Sequence, residues 1–227
     1  MHPLWFVSVA SYRFADAEVS LTQFFHIHPD NPQSRLVKQA AERLRNGEVA
    51  VVPTDSAYAL ACALENKTGV ERVRQIRRLD DKHNFTLLCR DLSEISTFAR
   101  ITNVEFRLLK NHTPGPYTFI LNASREVPRR LMHPKRRTIG IRVPEDRVLR
   151  ALLDELGEPI MSSSLILPGE TLPMTDPWEI ESTVGHAVDL ILDGGFRGLE
   201  PTTVIDLTGD TPEIIRQGAG DASVFEL

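Results

Sequence analysis

Cysteine is scarce in this 227-residue chain: there are two, Cys62 and Cys89, each inside an apolar run. Two thiols without close spacing make neither a disulfide framework nor a zinc pattern, so the expected home is a reducing cytoplasm. Long apolar stretches are also missing. None approaches the roughly 18 residues that a membrane-spanning helix needs, and no membrane partner is expected. Leu4 to Ala10 is apolar but lacks the preceding basic residues of a secretory signal. Residues 1–22 therefore read as a poorly ordered N-terminal extension, with the folded domain over 23–227. Basic residues nearly vanish late in the chain: residues 150–227 hold 3 Lys/Arg against 15 Asp/Glu, while residues 1–149 hold 23 against 16. The net charge of −5 thus hides an asymmetry that can focus a positive field on one surface, unless the two sets interleave on folding.

What is present is ordinary for one globular domain, with 41% hydrophobic and 25% charged residues. Leu36, Val37, Ala40, Ala41 and Leu44 recur at spacings of three and four, which predicts a helix over Ser34 to Arg45 stopped at Asn46-Gly47. Val49 to Val52 has the length and β-branching of a buried strand. Further helices fit Gly69 to Leu79, a segment beginning after Asp91 or Ser93 with Ser93 as candidate N-cap, Val104 to Asn111 and Arg147 to Leu156. Strands fit Phe85 to Cys89, Tyr117 to Asn122, Thr138 to Val143, Asp189 to Leu192, Thr203 to Leu207 and Glu213 to Arg216. This alternation, without repeats or low-complexity linkers, predicts one α/β sheet covered by helices. Glu170 to Glu181 reads as the loosest stretch, either a lid or a passive connection.

Two segments carry polar groups where ligands gather in such sheets, beyond strand ends. Pro53-Thr54-Asp55-Ser56-Ala57-Tyr58-Ala59-Leu60 follows a predicted strand and offers two hydroxyls and a phenol; the same residues also suit an ordinary turn. Pro114-Gly115-Pro116 is a rigid turn before a strand that begins with Tyr117 and Thr118.

Together these segments resemble the YrdC/YciO-like family, whose Pro-Thr-Asp-Thr-x-Tyr-Gly-Leu is nearly reproduced at residues 53–60. The resemblance extends through Pro114 to Thr118, Arg142-Val143-Pro144, Thr202 to Leu207 and Arg216-Gln217-Gly218. It implies a twisted, open mixed sheet with helices on its faces and a concave basic cleft. Synthases of the family join threonine, bicarbonate and ATP into threonylcarbamoyl-adenylate, an early step of tRNA modification, and related members bind tRNA or double-stranded RNA. Carried over, the resemblance implies substrate contacts from Ser56, Arg142 and Thr202 and nucleotide contacts from Thr118, Ser164 and Arg216. Tyr58, the loop histidine His83 and Ser162 are further candidates for substrate contact, and Arg77 for the nucleotide.

The departures matter. The family's Lys-x-Arg-Pro stands here as Arg77-Arg78-Leu79-Asp80, and its Ser-x-Asn as Ser164-Leu165-Ile166, so one cation and one amide are lost. Nucleotidyl transfer depends on such positioned groups, and losing one donor costs about a hundredfold to a thousandfold in rate. The pattern is similar to the YciO branch. An enzyme making or breaking an adenylate is one expectation. A non-catalytic module for tRNA or double-stranded RNA is the other, resting on Arg74, Arg78, Arg129, Arg130, Lys135, Arg136 and Arg137. His26-Ile27-His28 would place two imidazoles on one strand face with nothing nearby to complete a metal site. No metal or cofactor held by protein ligands alone is expected; ATP with magnesium would enter as substrate.

Overall fold

The computed structural model describes residues 22–80 and 83–226, so the expected extension lies almost wholly outside the described residues. Eleven strands form one mixed sheet: β1 (Gln23–His26), β2 (Ala50–Val52), β3 (Ala59–Ala63), β4 (Thr86–Leu88), β5 (Ala99–Arg100), β6 (Tyr117–Ala123), β7 (Thr138–Arg142), β8 (Ile160–Ser164), β9 (Leu190–Asp193), β10 (Thr203–Asp206) and β11 (Glu213–Arg216). Their order is β1-β9-β2-β3-β8-β4-β7-β6-β10-β11, with β5 added beside β6. The helices are α1 (Ser34–Arg45), α2 (Lys67–Arg77), α3 (Leu92–Phe98), α4 (Asn103–His112), α5 (Arg147–Leu156) and α6 (Pro177–Val184). The sheet is open, and parallel and antiparallel pairs are mixed: β2 with β9 and β6 with β10 run parallel, β6 with β7 antiparallel.

Side chains alternate between the faces of a strand, so each strand feeds two cores. One is a large cluster in which Val70 and Val73 of α2, Ile95 of α3, Leu109 of α4 and Ile180 of α6 pack on Val51, Leu60, Leu87, Phe119, Ile141 and Ile205. The other joins Ala40, Ala41 and Leu44 of α1 to Leu149, Leu152 and Leu153 of α5 over Ala50, Val52, Ala59, Ala61, Leu88 and Ile160. This second cluster stops at Leu88 of β4. The same face of β7, β6, β10 and β11 is covered by neither apolar cluster. It carries Thr118, Asn122, Thr138, Gly140, Arg142, Asp206 and Arg216 with Ile120 and Val204 among them, and Thr138, Arg142 and Asp206 are themselves buried.

Several sequence expectations shift. Asp91, not Ser93, caps α3, because its carboxylate accepts from the amides of both Ser93 and Glu94. β3 was not expected at all, and it separates β2 from β8. Glu170 to Glu181 is not wholly loop: Asp176 caps α6, whose first residue is Pro177, a position where the missing amide costs nothing. β1 ends at His26, so His26 and His28 do not share a strand face. His26 Nδ1 lies 2.8 Å from Asp193 Oδ2, and His28 Nδ1 accepts from the amides of Asp30 and Asn31.

Candidate functional site

The uncovered face is organised by register. Phe119 pairs with Ile141, which places Thr118 and Arg142 beside that pair on the other face. Thr118 also stands opposite Val204, and Val204 opposite Arg216. Arg142, Thr118, Val204 and Arg216 thus form one row across four neighbouring strands, about 14 Å from end to end at the usual strand spacing. One row along, Ser162, Thr86 and Gly140 are in register across β8, β4 and β7. A Cβ on Gly140 would meet Thr86 Oγ1 at 2.9 Å and Phe85 O at 3.1 Å, so a side chain there would displace its neighbours.

At one end of the row Thr118 Oγ1 and Thr202 Oγ1 are 2.8 Å apart. Arg216 donates to Thr202 O through Nη2 at 2.8 Å and through Nε at 3.1 Å, which fixes its side chain beside the two hydroxyls. Desolvation of this guanidinium against the Thr202 segment pushes its pKa down. Three of the expected ligand contacts are therefore together, built from β6, the start of β10 and the end of β11.

At the other end Arg142 is 6% exposed and donates from Nη2 to Asp55 Oδ1. Desolvation lowers the Arg142 pKa, and Asp55 opposes that shift. The 53–57 turn that presents Asp55 holds itself together through Thr54, whose hydroxyl donates to Ala57 O at 2.6 Å and lies 3.1 Å from Ser56 Oγ. Both Thr54 and Ser56 are buried. A second pair braces this end: Arg197 Nη2 donates to Asp146 Oδ2 at 3.0 Å, and Asp146 also caps α5 through the Leu149 amide. Burial raises the Asp146 pKa, and Arg197 pulls it back.

Beside β8, Arg77 Nη1 donates to Ser163 Oγ at 2.9 Å and to Ser164 O. Desolvation lowers the pKa of this guanidinium. His83 Nε2 lies 3.3 Å from Ser163 Oγ, and burial with the nearby Arg77 and Arg74 depresses the imidazole to about 4. Ser163, not singled out from the sequence, thus ties two candidate residues together. Ser164 is exposed at the strand end.

Other expected residues serve the frame in this structure. Tyr58 is fully buried; its hydroxyl donates to Gly195 O at 2.8 Å and accepts from the Gly194 amide, and burial raises it to about 12. Ser162 Oγ donates to Thr86 O at 3.1 Å. Leu79, where the family pattern has a cation, packs against the large core, and Arg78 adopts the left-handed conformation that ends α2.

The basic residues divide. Arg72 pairs with Asp189 and Arg136 approaches Asp206, so the basic and acidic parts of the chain interleave at these points. Arg74 stacks over Phe85 and donates to Asp80 O, while Arg130 bonds Leu64 O and Glu65. Arg129, Arg136 and Arg137 instead line a cavity of about 950 Å³ with Arg100 and Arg125. Lys135 and Arg78 do not line it. Asp55 and Arg197 escaped sequence reading because their partners lie far along the chain, and Arg100 because only the register of β5 with β6 brings it to the cavity. Gly140, inside a β-branched strand, carried a readable sign of close approach.

Among the described residues no group of His, Cys, Asp and Glu has metal-holding geometry, and no helix is long and apolar enough to cross a membrane.

Comparison with known proteins fits this architecture. The uncharacterised YciO of Escherichia coli K12 is 57% identical over 205 residues, covering 90% of this chain and all of that protein. Its crystal structure matches with a TM-score of 0.88 over 90% of this chain and 99% of that one. The threonylcarbamoyl-AMP synthase of Vibrio vulnificus YJ016 is 27% identical over 187 residues, 80% of this chain and 98% of that protein. Pyrococcus abyssi Sua5, solved in complex with L-threonine, shares the fold at a TM-score of 0.83 and 23% identity, over 90% of this chain and 60% of that one. A family model named Sua5_yciO_yrdC and described as telomere recombination matches residues 42–218. With three quarters of its length matched and a close relative covered from end to end, the chain belongs to the Sua5/YciO/YrdC family.

Proposed function

We propose that the uncovered face binds threonylcarbamoyl-adenylate, or an acyl adenylate close to it, and that the protein acts on this ligand as an enzyme. The observation that carries the reading is the Thr118, Thr202 and Arg216 cluster, in line with Arg142 on a face that no apolar cluster covers. Guanidinium groups bind phosphate and carboxylate through paired, charge-assisted hydrogen bonds, and neighbouring hydroxyls add orientation. Arg216 would meet the phosphate, Arg142 the carboxylate once Asp55 yields, and Ser56 with Thr202 the threonyl part. Arg77, bound to Ser163 on the other face of the sheet five strands away, would not reach the same phosphate. The relatives named as threonylcarbamoyl-AMP synthases support this ligand class.

The losses at Leu79 and Ile166 bear on direction. With one cation and one amide fewer, the site retains groups that hold an adenylate and lacks some that stabilise transferring phosphate. We expect synthesis to be slow relative to the family's synthases. Two assays of the purified protein test the reading: threonine, bicarbonate and ATP with magnesium in one, the preformed adenylate in the other. Pyrophosphate release in the first or AMP release in the second supports it, and no turnover in either removes the enzyme reading.

A second reading, RNA binding without chemistry, is favoured by the arginine-lined cavity. Duplex RNA or tRNA held by its phosphates must dissociate steeply as salt rises, and a titration at low salt that shows no binding ends this reading.

A further inference from the structure

The cavity lies toward the end of β6 away from Thr118. Asn122, which lines it, shares the uncovered face with Thr118 four residues earlier, about 13 Å along the strand. Five arginines line it, Arg100, Arg125, Arg129, Arg136 and Arg137, against one acid, Glu105. That carboxylate is already engaged, accepting from the Thr102 amide in the capping box that opens α4. Arg136 is 3.5 Å from Asp206 Oδ2. Among the described residues no carboxylate lies within ion-pair distance of Arg100, Arg125, Arg129 or Arg137.

Five like charges gathered with one carboxylate in the lining and a second beside Arg136 still repel, and the remaining repulsion is relieved by anions. A single small anion leaves most of the charge uncompensated. Several anionic groups spaced along one molecule match it better.

The neighbouring surface narrows the ligand. A second depression of about 480 Å³ continues from the first, sharing Arg100, Ile101, Thr102 and Ser124, and its wall includes Phe106 of α4. Phe106 is 38% exposed. A bare polyphosphate has no use for an aromatic ring, whereas a nucleobase stacks on one. Phosphates in a basic groove with bases on an aromatic platform are the arrangement by which single strands are held. A duplex keeps its base faces stacked inside and cannot use Phe106.

We propose that this groove binds a short single-stranded RNA segment, its phosphates on Arg100, Arg125, Arg129 and Arg137 and one base on Phe106. This rests on RNA binding at the arginine-lined cavity, the part of the second reading that is compatible with an enzyme acting on the adenylate elsewhere on the sheet.

The test is fluorescence anisotropy of the full chain with a labelled eight-nucleotide single-stranded RNA, its duplex, and inorganic polyphosphate as competitor. The single strand should bind more tightly than the duplex, with affinity falling by about 0.7 in the log of the binding constant per log unit of salt for each phosphate held. Phe106→Ala, at an exposed position, should weaken the single strand about fivefold or more and leave polyphosphate competition unchanged. Arg125→Glu with Arg129→Glu should abolish single-strand binding while adenylate turnover persists. If the duplex binds as well as the single strand and both ignore Phe106→Ala, the RNA reading stands and this inference fails. If polyphosphate binds and neither RNA does, both fail.

Discussion

Arg142 and Asp55 form a buried pair in which each keeps one unsatisfied atom: Arg142 Nε and Asp55 Oδ2 are both buried without a hydrogen-bond partner. The pair joins the 53–57 turn to the uncovered face across 87 residues of chain. An unpaired buried polar atom is costly until something meets it. The free Nε of Arg142 therefore suits a group that is to receive a ligand anion, whereas the free Asp55 Oδ2 would have to move away from that anion.

Removing one partner should therefore cost more than removing both. Asp55→Ala leaves a buried guanidinium without its counter-charge and should lower stability by about 3 to 5 kcal/mol. The double variant Asp55→Ala with Arg142→Met should recover much of that loss. Urea unfolding of the two variants checks the difference, and equal losses would show that the pair does not stabilise the turn.

His83 supplies a pH dependence. Its folded pKa of about 4 lies below the ordinary imidazole value of 6.5, so between these values the unfolded chain binds more protons than the folded one. Its contribution to stability is complete above pH 6.5 and declines as pH falls toward 4. His83→Gln should flatten the stability profile in that window. A variant whose acid sensitivity matches the parent would place the imidazole outside the buried cluster with Ser163 and Arg77.

Gly140 lies on the proposed ligand face, one row from Thr118 and Arg142. Gly140→Val adds atoms where even a Cβ meets Thr86 Oγ1 at 2.9 Å, so overpacking should cost about 1 to 3 kcal/mol and adenylate binding should weaken. Calorimetric titration beside thermal unfolding reads both effects. Unchanged affinity in a folded variant would place the ligand elsewhere.

The cap of α3 separates sequence from structure. Asp91→Ala should cost about 1 kcal/mol, because the Asp91 carboxylate serves two amides, and Ser93→Ala should cost less. Both residues are good capping types, so only the backbone conformation of the first turn distinguishes them.

Elements with a strong period were legible. α1 buries Val37, Ala40, Ala41 and Leu44, four of the five apolar positions its spacing marked, and leaves Leu36 partly buried. β3 was hidden because Ala-Leu-Ala-Cys-Ala has no alternation and little β-branching, and its strand state comes from being flanked by β2 and β8. α6 was hidden because proline marks both loops and helix starts. Within the site, short ordered motifs pointed to Thr118, Thr202 and Arg216. The Asp55 to Arg142 pair and the Arg100 groove depend on register across the sheet, which no local pattern encodes. The charge asymmetry was readable as composition, but its partial cancellation through Arg72 with Asp189 was not.

The central claim is that an adenylate sits on the uncovered face between Arg142 and Arg216. A crystal structure of the protein soaked with a non-hydrolysable threonylcarbamoyl-adenylate analogue tests it most directly. The account predicts its phosphate within hydrogen-bond distance of Arg216 and its threonyl group near Ser56 and Thr202. Analogue density confined to the Arg129 and Arg137 groove, with the Arg142 to Asp55 pair and the Thr118 cluster unchanged, would contradict it.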